Sequence, residues 1–397
     1  MSILFHSWRV VGKMFLLATF LFVFFGLSIG AQEAQLQKSP IIIITVDVES
    51  TYFDGVSISL PEQVQAICTG GIPCGLQGMV SQLKRRDYQA TFFLNVFEHK
   101  AYGVETIRNL AAWLTKSGQD VQLHTHPHWA YDTNRKYMYQ YNLQEQTEII
   151  REGKELLKEW TGKEITAHRA GAYGADANTL KALIKNAIYY DSSLFYGHEA
   201  SKINSLDLKM NVLSMFGPLY ELPVTIYKKN GYPPIWGNNL KPMSVIRKYD
   251  VNWFGNQNEA RQALDQAIVS NIDFIILFLH SPSFIKGRNS AGEMIADLEA
   301  IRTFEMVLDY IGQKGLMVTT FRNLYEGHIQ LNQHMNKADI IPEISIQMGT
   351  AEYFLKRSGI TRNNYQIVII LVAGASGILF IIIYLFWKKK HSGLSTP

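Results

Sequence analysis

Three histidines crowd one short stretch, Leu123-His124-Thr125-His126-Pro127-His128-Trp129. A neutral imidazole nitrogen is the commonest protein metal ligand and is available near neutral pH. His124 and His128 share a face if the backbone turns helically there, and all three align if it stays extended. Upstream, Asp47-Val48-Glu49 ends an apolar run, and an acidic side chain from it would complete a two-histidine, one-carboxylate site. Such a site leaves one coordination position open for water, whose pKa the ion lowers toward neutrality. Zinc is the default divalent metal for that donor set, and cobalt or nickel would also be tolerated.

The elements that must position these groups alternate in type. Residues 41–46 form a continuous β-branched run, as expected of a strand buried on both faces. Further strand-like runs fall at 90–95, 121–123, 164–168, 188–191, 219–224, 274–279 and 316–320. Helical patterns at 78–86, 105–116, 143–160, 177–186, 258–270 and 290–312 separate most of them. Alternation over this length implies an α/β fold, and seven to eight parallel strands favour a β/α barrel over an open sheet. In such barrels reactive groups gather at the C-terminal ends of the strands. Asp47 and Glu49, the histidine stretch, Arg169, Asp191 and His280 each follow an apolar strand in that way.

In order along the chain stand Thr45-Val46-Asp47-Val48-Glu49, His124-Thr125-His126-Pro127-His128, Arg169-Ala170-Gly171-Ala172-Tyr173-Gly174, Asp191-Ser192-Ser193 and Leu279-His280. This series resembles the polysaccharide deacetylases, the NodB-like carbohydrate esterases of family four, over most of residues 41–324. The resemblance implies a distorted β/α barrel and a metal-dependent hydrolase that removes N-acetyl groups from a sugar polymer. It implies a metal on Glu49, His124 and His128, with Asp47 as the base that accepts the water's proton. Arg169 would pair with that base, His280 would protonate the leaving amine, and Asp191 would orient His280. Backbone N–H groups around Tyr173 would help bind the oxyanion. His126 is expected to be a supporting or surface residue.

Two departures from the family pattern bear on catalysis. Its first motif has adjacent aspartates, whereas Val48 separates Asp47 from Glu49 here, so either carboxylate could be base or ligand. The arginine motif lacks its usual prolines. These departures motivate an alternative, a catalytically inactive, membrane-anchored carbohydrate-binding protein on the same fold. Loop aromatics Trp129, Tyr131, Tyr196, Tyr232, Trp236, Trp253 and Phe254 could rim a sugar groove, with residues 228–242 as an irregular loop at its mouth.

The ends of the chain read differently. Arg9 and Lys13 precede an apolar run over 14–26 and small residues Ser28, Gly30 and Ala31, the pattern of a secretory signal over residues 1–31. Residues 367–387 are apolar and uncharged, and Lys388-Lys389-Lys390 follows. About 20 such residues span a bilayer core. The expected organisation is a deacetylase-like barrel domain over 32–330, a stalk or peripheral segment over 331–364, a transmembrane helix over 365–387 and a cytoplasmic tail over 388–397. The catalytic domain would then be extracytoplasmic on a single-pass anchor. The net charge of +4 is spread along the chain without a basic patch, which argues against a nucleic-acid partner. The two cysteines, Cys68 and Cys74, could close a small loop disulfide in an oxidising compartment.

Overall fold

The computed structural model describes residues 39–53, 56–232, 243–334, 339–347, 365–373 and 379–387. The expected signal (1–31), the tail (388–397) and Trp236 lie outside the described residues.

The chain lays down β1 (Ile41–Val48), β2 (Thr91–Asn95), β3 (Asp120–Thr125), β4 (Ala167–Ala170) and β5 (Tyr190–Asp191). β6 (Ser214–Phe216), β7 (Leu219–Glu221), β8 (Phe274–His280) and β9 (Val318–Thr319) complete a nine-stranded sheet. Its order is β6-β7-β5-β4-β3-β2-β1-β8, with β9 also paired to β1. Every pairing is parallel except β6 with β7. Helices α1 (Leu76–Lys84), α2 (Val104–Lys116), α3 (Leu143–Thr161), α4 (Ala177–Lys185), α5 (Gln257–Val269) and α6 (Leu298–Gln313) provide the crossovers.

The α/β alternation read from the sequence is therefore present, but the sheet is a curled half-barrel and not a closed one. Among the described residues no ladder joins β6 to β8. The outer edge of β8 is met instead by loop groups. Ile276 N donates to Thr225 Oγ1 at 2.8 Å, and Phe278 N donates to the Tyr249 carbonyl at 2.7 Å.

Strand alternation sorts β1 into two faces. Ile42, Ile44, Val46 and Val48 join the large core that also holds residues of the helices, while Ile41 and Ile43 join the second core with Phe93, Ala167 and Ile276. Thr45, Asp47 and Glu49 continue the second face, which is the concave interior. Local signals set the helix ends. Asn142 caps α3 through its side chain, Glu145 closes the reciprocal bond, and Gly162 ends the helix at φ 66°.

Three expectations change outside the main sheet. Residues 228–232, expected as part of an irregular loop, belong to a strand, Ile226–Tyr232, that pairs antiparallel with Met243–Lys248. Glu343–Gln347, expected in a peripheral stalk, adds to the same strand in parallel and buries Ile344. Tyr365–Ala373 and Leu379–Trp387, expected as one membrane helix, pair as an antiparallel two-stranded sheet. No helix among the described residues is long and apolar enough to cross a membrane. Hydropathy reports apolarity and not backbone conformation, and the isoleucines and valines that dominate 367–383 favour strands. Cys68 and Cys74 are disulfide-bonded.

Candidate metal centre

The register of β1 to β4 brings the polar residues of four strands to one end of the concave face. Asp47 lies beside His280 of β8, and Asn95, His124 and Arg169 stand in one row across β2, β3 and β4. Beyond the strand ends, Ser281 fastens β1 to β8. Its N–H donates to the Asp47 carbonyl at 2.8 Å, and its Oγ donates to the Glu49 carbonyl at 3.1 Å.

Glu49, His124 and His126 each turn one potential ligand atom into a space where these atoms lie within 4.8 Å of one another. His124 Nδ1 sits 2.8 Å from the Arg169 carbonyl, which can only accept, so Nδ1 carries the proton. Its Nε2 lone pair then faces Glu49 Oε2 at 3.2 Å and Asp47 Oδ2 at 3.9 Å. His126 Nε2 is buried and pairs with the same Glu49 oxygen. Two imidazole nitrogens and a carboxylate oxygen converging in one space suit a divalent cation, and the backbone acceptor behind His124 is the orientation such ligands require.

His128, expected as the second histidine ligand, is not in this group. Its ring centroid lies 5.6 Å from that of His126, and its Nδ1 is buried with no hydrogen bond among the described residues. The backbone explains the exchange. β3 stays extended through Thr125, and the short turn Pro127–Trp129 then carries His128 outward. His126 gains its place because Gly171 lacks a side chain. A Cβ at Gly171 would come 2.5 Å from the His126 ring.

Asp47 and Arg169 form the other half of the site. Arg169 Nη1 donates to Asp47 Oδ1 at 2.8 Å and to Thr45 Oγ1 at 3.1 Å, Nε donates to the Ser192 carbonyl, and Nη2 donates to Ser192 Oγ. The guanidinium is sandwiched between Phe93 and Phe278, at 4.4 and 4.6 Å from their ring centroids. With four directed bonds and two ring faces, its position has little freedom.

Asp191, expected to orient His280, stands on the opposite face of the sheet. Tyr190 joins the interior core, so the next residue points to the helix side, where Asp191 Oδ1 accepts from Ser193 Oγ and pairs with His168 Nδ1, each at 2.8 Å. Besides Asp47 and Glu49, the charged groups near His280 include Lys248 and Asp250, which no sequence motif marks. Lys248 Nζ pairs with Asp250 at 2.9 Å, donates to Tyr173 Oη at 3.0 Å and lies 3.8 Å from the Phe278 ring centroid.

The electrostatics follow from burial and these neighbours. Burial opposes the Glu49 charge, but His126 and His124 outweigh it and hold the carboxyl well below its ordinary range. Burial opposes protonation of His124, but Asp47 and Glu49 raise it overall. Burial, then His126 and Lys136, lowers His128 to about 4. Burial, then Lys248, lowers His280. Of the groove aromatics, Tyr131, Tyr196 and Tyr232 are exposed, whereas Phe254 is buried in the core.

Residues 67–190 match the family model for polysaccharide deacetylases, a span that contains the histidine stretch and Arg169 but not Asp47, Glu49, Asp191 or His280. A search of curated proteins finds no match. Solved structures similar to the chain include a candidate polysaccharide deacetylase from Mycobacterium smegmatis, with 16% identity, a TM-score of 0.46, and 78% of this chain and 96% of the other covered. A family 4 carbohydrate esterase from Streptomyces lividans in complex with acetate shows 10% identity, a TM-score of 0.38, and coverage of 76% and 98%. A pseudoenzyme of the same esterase family from Bacillus anthracis shows 8% identity, a TM-score of 0.38, and coverage of 78% and 70%. The segment that carries the histidines and the buried arginine, residues 67–190, is thus the part of the chain that is similar to the polysaccharide deacetylase family.

Proposed function

We propose that this protein is a metal-dependent hydrolase that removes N-acetyl groups from a cell-surface or cell-wall polysaccharide. The observation that carries the proposal is the adjacency of two groups, the Glu49–His124–His126 trio and the Asp47–Arg169 pair. A divalent ion, zinc first, would be held by that trio, with His128 next outward. When bound, it would polarise the acetamide carbonyl and make its water a better nucleophile. Asp47 Oδ1 is committed to Arg169, which leaves Oδ2 to accept the proton of the attacking water. Arg169 fixes the orientation of that carboxylate. His280 delivers a proton to the amine nitrogen as the C–N bond breaks, and its lowered pKa makes the imidazolium, once formed, a stronger acid. Asp191 takes no part in this scheme.

The test is acetate release from chitooligosaccharide and from peptidoglycan by the purified protein, with and without chelator. Release that stops with chelator and returns with zinc supports the reading. No release from either glycan by zinc-loaded protein overturns it and favours the inactive sugar-binding alternative.

The location is a separate proposal that rests on sequence pattern. Residues 14–26 would direct export, and 367–387 would anchor the chain with the hydrolase domain outside the cell. In a bilayer a lone pair of strands leaves its outer N–H and C=O groups without partners. Insertion would therefore require 365–387 to become helical, which circular dichroism of that segment in lipid against buffer would detect.

A further inference from the structure

We propose that Glu98 is a positioning residue that locks the two chain segments carrying Glu49 and His126 to each other and so sets the affinity of the metal centre. Glu98 ends the short turn after β2 (Val96–Glu98), and its side chain is fully removed from solvent. One oxygen, Oε1, accepts from Ser50 N at 2.8 Å and from Asn95 Nδ2 at 3.1 Å. The other, Oε2, accepts from Ser50 Oγ at 2.5 Å. Ser50 directly follows Glu49, so two of these bonds fix the backbone from which that carboxylate projects. Asn95 Oδ1 accepts from His126 N at 3.3 Å, so the third bond fixes the residue that supports His126. Ser50 Oγ also accepts from Leu60 N at 2.8 Å, which ties the same point to the following loop.

A buried carboxylate with three donors, all belonging to the two ligand-bearing segments or their support, does little for the core that an apolar residue would not do better. Its effect is on geometry. Glu49 lies just beyond the end of a strand, where the ladder no longer fixes the backbone, and His126 lies just beyond the end of another. Partners behind metal ligands are worth on the order of 10- to 100-fold in metal affinity.

This inference rests on the metal reading above, and the experiment separates the two. Zinc affinity of the full-length protein is measured by competition with a chromophoric chelator, alongside the melting temperature of the metal-free form. Glu98→Ala is expected to weaken zinc by about 10- to 100-fold. Glu98→Gln, which keeps an acceptor for Ser50 N and Asn95, should stay within about threefold of wild type on the same scale. Asn95→Ala cuts only the link to His126 and should weaken zinc without disturbing Ser50, which keeps the test decisive where Glu98→Ala does not fold. Wild-type affinity in folded Glu98→Ala or Asn95→Ala overturns the inference while leaving the metal centre intact. Absence of zinc binding by the wild type overturns both. A loss of affinity that Gln fails to restore, matched by an equal fall in the metal-free melting temperature of the Gln variant, identifies a general packing role and also overturns it.

Discussion

Arg169 donates from Nη1 to Asp47 Oδ1 at 2.8 Å, joining residues 122 positions apart with side chains 0% and 5% exposed. Removing one partner of a buried pair strands the other charge at a cost of about 3–5 kcal/mol. Arg169→Met is therefore expected to lower unfolding free energy by about that amount. Arg169→Lys should lie between, because a single ammonium cannot serve Thr45, Asp47 and both Ser192 acceptors at once. Denaturant midpoints at constant m-value check this. A loss below about 1 kcal/mol for Met would show that the pair is not what holds this end of the sheet together.

The identity of the second histidine ligand gives a second prediction. The sequence points to His128, whereas the geometry groups His126 with Glu49 and His124. On that geometry, His126→Ala should lose zinc by at least about 100-fold, while His128→Ala retains it within about tenfold. Equilibrium dialysis on both variants decides between them, and the reverse ranking would restore the ligand set expected from the sequence.

How legible the site was depends on which physical rule applies at each residue. The placement of Asp47 and Glu49 on one face follows from strict alternation along β1, which the sequence displays as an apolar run ending in acid-x-acid. Arg169 beside Asp47 came from the family resemblance and is found in the structure. His126 and not His128 meets Glu49 and His124 in the structure; the sequence leaves open whether the chain turns before or after His126, and Pro127 begins the turn one residue later. The placement of Asp191 on the helix side follows from parity alone, since its apolar neighbour Tyr190 occupies the interior face. Lys248 and Asp250 were not readable, because they arrive from a side sheet whose Gly- and Pro-rich connection resembled a loop. At the C-terminal end, an apolar β-branched run is compatible with a helix in lipid and with a strand, so pattern alone did not fix its conformation.

Glu221 supplies a pH test away from the metal centre. It stands beside Asp191 in the register of β7 and β5 and accepts from Leu194 N at 2.8 Å. Burial, then the charge of Asp191 and a hydrogen bond with it, pushes Glu221 well above the carboxylate range, and Arg169 opposes this only in part. His168 Nδ1 pairs with Asp191 Oδ1 at 2.8 Å. A carboxyl raised on folding stays protonated in the native state after the unfolded chain has lost its proton. Its contribution is full below the ordinary glutamate value and is lost as pH rises from there toward the raised one. Glu221→Gln keeps the Leu194 acceptor and gives Asp191 a permanent donor, so its stability should fall less between pH 5 and 8 than that of wild type. The difference in slope should not exceed about 1.4 kcal/mol per pH unit, one proton's worth. Parallel curves for the two proteins would show that Glu221 holds no extra proton when folded.

His280 gives the last prediction, through the leaving group. Expulsion of an amine from a tetrahedral intermediate requires a proton on nitrogen, whereas a phenoxide leaves without one. If His280 delivers that proton, His280→Ala should slow deacetylation of an N-acetylated sugar by about 10²- to 10⁴-fold. The same variant should hydrolyse an aryl acetate at nearly the wild-type rate, and its zinc affinity should be unchanged because His280 is not among the converging ligand atoms. Lys248 lowers His280 in the folded protein, so Lys248→Met should move the apparent pKa of the amide reaction upward without moving that of the ester. Equal losses on amide and ester would assign His280 to substrate binding, and the proton would then have to reach the amine from Asp47.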